Sequence, residues 1–264
     1  MGRVEGKVAL VTGGGTGIGR GCATLLAREG AKVAVCGRTT ATLDETVMHI
    51  TEGGGEAVAL RCDVSKSNEC DAVVAQVVER FGRLDVLVNN AGYFPRADLT
   101  ETTDELWRTI MGVNLDGAFY LCRAAVPHMK RQGGGSIINV GSIHGLGGAP
   151  RLFAYAVSKG ALLNLTKNLA KAHANDNIRV NYLIPGWVIT EGELVIQSQD
   201  GRDQAWLDEV GKTLPGGRHS TPDDAAKAVL FLASDDSETI TGAVINTDFG
   251  MSVVHTGGGP STEL

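Results

Sequence analysis

The sequence predicts an α/β fold: a single domain on a doubly wound, parallel sheet of seven strands. Three observations predict it. Short, near-continuous apolar runs alternate with helical stretches at roughly 25-residue spacing, as strands buried on both faces and their crossover helices should. The chain has 36 glycines in 264 residues, in clusters without a three-residue period, and its 43% hydrophobic share excludes a disordered or collagen-like chain. No internal repeat and no Pro/Ser-rich linker divides it.

The elements follow in order. Val8–Val11 reads as the first strand. A helix from Gly17 to Glu29 follows, with small and aliphatic residues on one face. Lys32–Cys36 is the second strand, and Thr40–Glu52 a helix stopped by the glycines at 53–55. Ala57–Arg61, a helix over Ser65–Phe81 and the strand Leu84–Val88 continue the alternation. A long helical region covers 103–131, with a break expected near Gly112. Gly135–Val140 is the fifth strand, Phe153–Ala174 a helix, and Ile178–Leu183 the sixth strand. The variable region 187–220 contains a segment, 190–215, expected to form a lid over substrate. Thr221 caps a helix reaching Ala233, with Pro222 in its first turn, and Ala243–Asn246 is the seventh strand. Residues 255–264, with their run Thr256-Gly-Gly-Gly-Pro260, read as a mobile tail.

Charge and composition narrow the function. A net charge of −6 leaves no basic surface for nucleic acid, so an anionic ligand must be held locally by backbone N–H groups or one placed cation. No apolar run approaches the about 18 residues of a membrane helix. The start, Met1 to Lys7, lacks the apolar core of a signal peptide, and Gly6 stands where a myristoylation signal has Ser or Thr. Cys22, Cys36, Cys62, Cys70 and Cys122 show no Cys-x-x-Cys spacing and read as reduced, buried residues of a cytoplasmic protein with no metal site.

The first strand runs into Thr12-Gly-Gly-Gly-Thr-Gly-Ile-Gly19 and then a helix. In the pattern Gly13-x-x-x-Gly17-x-Gly19, the first glycine permits a positive φ. The second lets backbone approach a pyrophosphate, and the third lets the helix pack closely. With Gly15, Thr16 and Ile18 beside them, these residues form a phosphate loop at a helix N-terminus, the mark of a Rossmann-type dinucleotide fold. The second strand ends Cys36-Gly37-Arg38-Thr39, with no acid for a ribose 2′-hydroxyl and a guanidinium suited to a 2′-phosphate. The expected cofactor is NADP(H), with NAD(H) as the alternative.

Tyr155-Ala-Val-Ser-Lys159 opens a helix, placing Tyr155 and Lys159 on one face. A lysine ammonium beside a phenol should lower its pKa, so that the tyrosine serves as a general acid/base. Ser142, thirteen residues earlier, falls at the C-terminal end of the fifth strand, where open α/β sheets bind ligands.

Together with Cys62-Asp63-Val64, Asn89-Asn90-Ala91-Gly92, Asn114 and Pro185-Gly186-Trp187-Val188-Ile189-Thr190, these motifs resemble the short-chain dehydrogenase/reductase family in its compact form, over about residues 5 to 250. The resemblance implies that Tyr155 moves a proton at the substrate oxygen while hydride is transferred, and that Ser142 holds that oxygen. Lys159 would lower the Tyr155 pKa and bond the nicotinamide ribose, and Asn114 would position a relay water. Asp63 and Val64 would contact the adenine. Asn90, with Ala91 and Gly92, would join the sheet to the adenosine side. Pro185, Gly186, Val188 and Thr190 would fix the carboxamide and phosphates. The family's usual Asp-Gly-Gly near the end is here Asp248-Phe249-Gly250.

For the substrate the expected wall is His144, Phe94, Trp187 and Glu191, with Tyr93, Phe153 and Glu193 beside them. His144 and the two acids lean toward a sugar or polyol. Two rivals stand: a 3-oxoacyl-[acyl-carrier-protein] reductase docking its carrier near Lys130 and Arg131, and a non-catalytic NADPH-binding sensor or scaffold. The resemblance also implies a homotetramer acting on a small molecule, with neither nucleic acid nor membrane as a partner.

Overall fold

The computed structural model of the protein describes residues 2–254, so the glycine-rich tail at 255–264 lies outside the described residues. Seven strands form one sheet: β1 Val8–Thr12, β2 Lys32–Gly37, β3 Glu56–Arg61, β4 Val86–Asn89, β5 Gly135–Val140, β6 Ile178–Ile184 and β7 Val244–Asn246. Every pairing is parallel, in the order β3-β2-β1-β4-β5-β6-β7. The order reverses between β1 and β4, so a crevice opens beyond their C-terminal ends.

The strands read as unbroken apolar runs because both faces are covered. Ala9 and Val11 of β1 face one layer, and Val8 and Leu10 the other. The first layer holds α1 Gly17–Arg28, α2 Thr40–Glu52 and α9 Pro222–Ala233. Their Leu26, Leu43 and Val229 pack on Val33, Val35 and Val88. The second holds α3 Ser67–Phe81 and α5 Gly117–Arg131, with Val77, Leu121 and Met129 on Leu10, Leu87 and Ile137. On the same side α6 Phe153–His173 places Leu162 on Tyr182 and Ile184.

Where boundaries differ from the sequence pattern, a side chain has taken over a backbone group. β4 begins at Val86, not Leu84. Gln132 bonds both Leu84 N (3.2 Å) and Leu84 O (2.7 Å), and the Asp85 carboxylate accepts the Val8 N–H (2.8 Å). α3 begins at Ser67, not Ser65, because Ser65 N and Oγ donate to Asp63 Oδ1 (3.0 and 2.8 Å) in a local turn. The break expected near Gly112 is a π-helical turn, Gly112–Asp116, between α4 Asp104–Met111 and α5. Thr221 caps α9 in a reciprocal box with Asp224.

The region left without elements in the sequence reading carries two helices, α7 Glu191–Gln199 and α8 Gln204–Thr213. Their caps are Thr190, accepting from Glu193 N, and Asp203, accepting from Trp206 N. A short helix, α10 Met251–Val254, ends the described chain. All five cysteines are free and buried. Among the described residues no helix is long and apolar enough to cross a membrane, and no cluster of His, Cys, Asp or Glu could hold a metal ion.

Candidate active site

The phosphate loop forms as its glycines require. Gly13 and Gly17 take φ of +61° and +49°, in the left-handed region. A Cβ at Gly19 would overlap the Gly13 carbonyl, so the first turn of α1 lies directly on the loop. At the reversal of strand order, Thr12 Oγ1 accepts from Asn90 N and Ala91 N, both at 2.9 Å. Asn90 Nδ2 donates back to Thr12 O at 2.8 Å, tying β1 to β4.

Gly17 N donates to Glu191 Oε2 at 3.0 Å, and Arg20 Nη1 lies 3.5 Å from the other oxygen of that carboxylate. The N-terminus of α1 therefore already holds an anion, as a loop built for pyrophosphate should. The residues present fit a dinucleotide.

A cavity of about 410 Å³ lies over the C-terminal ends of the strands. Of the expected cofactor residues it brings together Gly13, Thr16, Gly17, Ile18, Asn90, Ala91 and Gly92 from the β1 and β4 ends, and Pro185, Gly186, Val188 and Thr190 from beyond β6. Ser142, Tyr155, Lys159, His144, Phe94 and Trp187 complete its reactive end. Gly15, Gly19, Arg38, Thr39, Asp63 and Val64 lie outside it. Arg38 is exposed at the end of β2 and makes no hydrogen bond or ion pair with a described residue. Its charge does reach Asp63: burial opposes ionisation there, but the Ser65 bonds and Arg38 together hold that carboxyl below its ordinary range. Val64 turns its side chain inward against Gly117, so any contact with an adenine is left to its backbone.

At the reactive end, Ser142 follows β5 and caps a single turn, its Oγ accepting from His144 N at 3.2 Å. Its own N–H donates to the Tyr182 hydroxyl (3.1 Å), and that hydroxyl donates to Lys159 O (3.0 Å). Tyr182 is fully buried, and a Cβ at Gly141 would overlap its ring. One phenol thus couples the backbone of Ser142 to that of Lys159. The sequence reading missed Tyr182, which looks like any apolar residue of β6. The glycine opposite it, Gly141, was the available signal.

The Ser142 side chain faces the Tyr155 hydroxyl, and the ionisation of Tyr155 differs from expectation. Burial pushes the phenol up to about 12, with the Ser142 bond opposing and the nearby Glu193 charge adding to the rise. Lys159 Nζ lies 5.6 Å from the ring centroid and donates to Val140 O at 2.7 Å. Burial pushes Lys159 itself down to about 8. Desolvation, and not the ammonium that the spacing suggested, sets the direction, and Tyr155 stands as a neutral phenol. Asn114, on the π-helical turn, accepts from Tyr93 N (2.7 Å) and donates to Tyr93 O (2.9 Å) and Ser158 Oγ (3.1 Å). Both amide hydrogens are committed, leaving a relay water the second lone pair of Oδ1 or the main-chain carbonyl.

The segment 190–215 closes one side of the cavity, with Gly192, Glu193, Ile196 and Gln197 on its wall. Trp187 Nε1 donates to Glu193 Oε1 (2.8 Å), Gln197 Nε2 donates to the same oxygen (2.6 Å), and His219 packs edge-on against Trp187 at 4.5 Å. Phe94 stands 5.9 Å from the Tyr155 ring. Glu191 is not on this wall: its carboxylate is drawn to the phosphate loop, 174 positions away in sequence. Tyr93 and Phe153 are also absent from it, Phe153 packing on Trp107 instead. Arg96 does line the cavity and was not anticipated. Its place just beyond the Asn89-Asn90-Ala91-Gly92 motif, at the cavity end of β4, was the signal. Phe249 takes a φ of +54° and lies over Gly216, with the Arg218 guanidinium 4.7 Å from its ring. It latches the loop after α8 to the end of β7.

Comparison with known proteins gives a consistent answer. A family model described as enoyl-(acyl carrier protein) reductase matches residues 13–252. An uncharacterised oxidoreductase of Thermotoga maritima is 42% identical over 95% of this chain and 99% of its own length. A structure from Burkholderia xenovorans, described as a short-chain dehydrogenase/reductase, superposes with a TM-score of 0.91 at 34% identity, covering 96% of this chain and 98% of the other. The chain belongs to the short-chain dehydrogenase/reductase family. A further family structure, from Beutenbergia cavernae, is described as an NAD(P)-dependent gluconate 5-dehydrogenase with NADP bound at low occupancy. It has a TM-score of 0.86 at 36% identity, with 94% and 97% of the two chains covered. As a short-chain dehydrogenase/reductase, the protein is an NAD(P)-dependent oxidoreductase.

Proposed function

We propose that this short-chain dehydrogenase/reductase uses NADP(H) to interconvert a carbonyl and a secondary alcohol on a sugar- or polyol-like substrate. The observation that carries this reading is the convergence of Ser142, Tyr155 and Lys159 on one cavity with the glycine loop. The bound nicotinamide supplies or accepts the hydride. Ser142 Oγ and the Tyr155 hydroxyl hold the substrate oxygen between them. In reduction the neutral Tyr155 phenol gives its proton to that oxygen, and in oxidation it takes the proton back. Lys159, held on Val140 O, keeps a positive charge at the base of the site, and Tyr182 fixes the backbone on which Ser142 and Lys159 depend.

The NADP(H) preference rests on Arg38, exposed and unpaired at the end of β2, with no acid in the ribose position. Fluorescence titration should show NADPH binding at least about 10-fold tighter than NADH, a preference lost in Arg38→Ala. Equal affinity for the two cofactors would refute it. A turnover screen followed by NADPH absorbance should find sugars or polyols among the substrates. If only hydrophobic ketones were reduced, that part of the reading would fail. The carrier-protein alternative asks for available basic residues at the end of α5. There Lys130 lies 3.0 Å from Asp176, and Arg131 bonds the His128 ring. We read the assembly as a homotetramer, supported by Phe119 of α5 and Val157 of α6, which are 43% and 41% exposed. Light scattering tests it, and a monomer would exclude it.

A further inference from the structure

Arg96 lines the cavity and takes no part in the hydride and proton steps above. It follows Phe94, whose ring faces Tyr155, by two residues. The segment is strapped to the start of the catalytic helix, with Ala97 N donating to Arg151 O (2.9 Å) and Phe153 N to Ala97 O (3.2 Å). At most about 7 Å of extended backbone separates Phe94 from Arg96. The guanidinium is therefore held close to the reacting centre by main-chain bonds.

Its side chain is only 15% exposed. Nε is buried and approaches Asp200 Oδ2 at 2.8 Å, yet is not aligned to hydrogen-bond it. Neither Nη donates a hydrogen bond to a described residue. Asp200 is shared with Arg202, 3.9 Å away, so two guanidiniums stand around one carboxylate. A second acid, Glu193, keeps its charge on the cavity wall, but its Oε1 is taken by Trp187 and Gln197 and it forms no ion pair with Arg96 or Arg202. Burial first, and then the charge of Arg96, push His144 below its ordinary value, so it is neutral at neutral pH.

The buried nitrogen without a hydrogen bond is Nε, and the two Nη of this largely buried side chain donate to no described residue on a cavity wall, where a carboxylate would match the fork in two parallel bonds. We infer that the substrate carries a carboxylate seated on Arg96, a few carbons from the carbon that reacts over Tyr155. The substrate class is then a polyhydroxy or oxo acid and not a neutral polyol. This rests on the carbonyl–alcohol reading above and narrows it.

The test uses matched pairs that differ only at the terminal carbon, D-gluconate against D-sorbitol and D-glycerate against glycerol. Calorimetry is run on the full chain with NADPH bound, for the wild type, Arg96→Met and Arg96→Lys. At least one acid should bind about 10- to 100-fold tighter than its neutral partner. Arg96→Met should erase that preference while sorbitol and glycerol binding stay within about 2-fold, and Arg96→Lys should retain part of it. Unchanged NADPH affinity and Tm in the variants show that the fold is intact; should Arg96→Met not fold, Arg96→Lys alone decides. Equal binding of acids and alcohols, an acid preference that survives in Arg96→Met, or no acid bound by protein that binds NADPH would each overturn the inference. A neutral diketone, 2,3-butanedione, separates the two readings. If it is reduced through Tyr155 while acids are ignored, the inference alone falls. If acids bind through Arg96 and no carbonyl is reduced, the reaction class falls instead.

Discussion

At the N-terminal edge of the sheet, polar groups are matched within the protein. Asp85 accepts the Val8 N–H at 2.8 Å and is held by Arg83 Nε and Nη2 at 2.8 and 2.6 Å. Gln132 closes both backbone groups of Leu84, and Arg179 donates to Ser237 Oγ, Leu232 O and Ser234 O. At the C-terminal edge, α6 sets a buried Lys159 and a half-buried Tyr155 in the crevice, both with ionisation pushed away from their ordinary values, beside Arg96, whose Nη atoms donate to no described residue. One edge holds the sheet closed. The other keeps costly groups in place because a ligand is to use them, a trade of stability for activity.

The sharpest way to break this contrast is Tyr155→Phe. Turnover should fall by about 10³-fold or more, with NADPH affinity within a few-fold of the wild type. Substantial activity in the variant would remove the proton donor from the account. At the opposite edge, Asp85→Ala should cost about 2 kcal/mol of stability by denaturant melt, because it strands the buried Val8 N–H and removes the bonds from Arg83 and Gln132, with activity at low temperature little changed. A loss below about 1 kcal/mol would place the closure elsewhere.

Lys159→Met should shift stability the other way. The unfolded chain holds this proton up to the ordinary 10.5 and the folded chain only to about 8. Between those values the unfolded state binds more protons, so wild-type stability rises with pH across that window and is lowered in full below it. At pH 7 the variant should be inactive yet more stable by about 2 kcal/mol, after allowing for the lost bond to Val140 O. The gain should shrink between pH 8 and pH 10.5. A destabilised variant, or a gain independent of pH, would show that Lys159 is not held at such a cost. The smallest effect is expected for Glu191→Gln. With the carboxylate gone from Gly17 N–H, NADPH should bind about 3- to 10-fold more tightly in a fluorescence titration. Weaker binding would mean that Glu191 supports the loop instead of competing for it.

Much of this was legible in the residues. The strand and helix sequence could be read because doubly buried strands and amphipathic helices leave a local period. Gly13, Gly17 and Gly19 could be read because a left-handed φ or a close approach excludes other side chains. Tyr155 and Lys159 share a helix face by spacing alone. By contrast, α7 and α8 were not legible, because Ile196 serves the cavity wall, Trp206 packs on Trp187, and Leu194 and Val195 are exposed, so no broad core stripe marks them. Glu191 was placed on the substrate side by proximity in sequence, but in the fold the dipole of α1 and Arg20 draw it to the phosphate loop.

The amino-acid sequence alone determined the fold class, the order of the elements along the chain and the glycine loop, since each leaves a local pattern. The tertiary structure decided how the reacting groups behave. Tyr182 behind Ser142, Asp200 beside Arg96, and the phenol of Tyr155 driven up by burial against the pull of Ser142 all arise from residues distant in the chain. Desolvation and charge depend on everything packed around a group, and no local pattern records that.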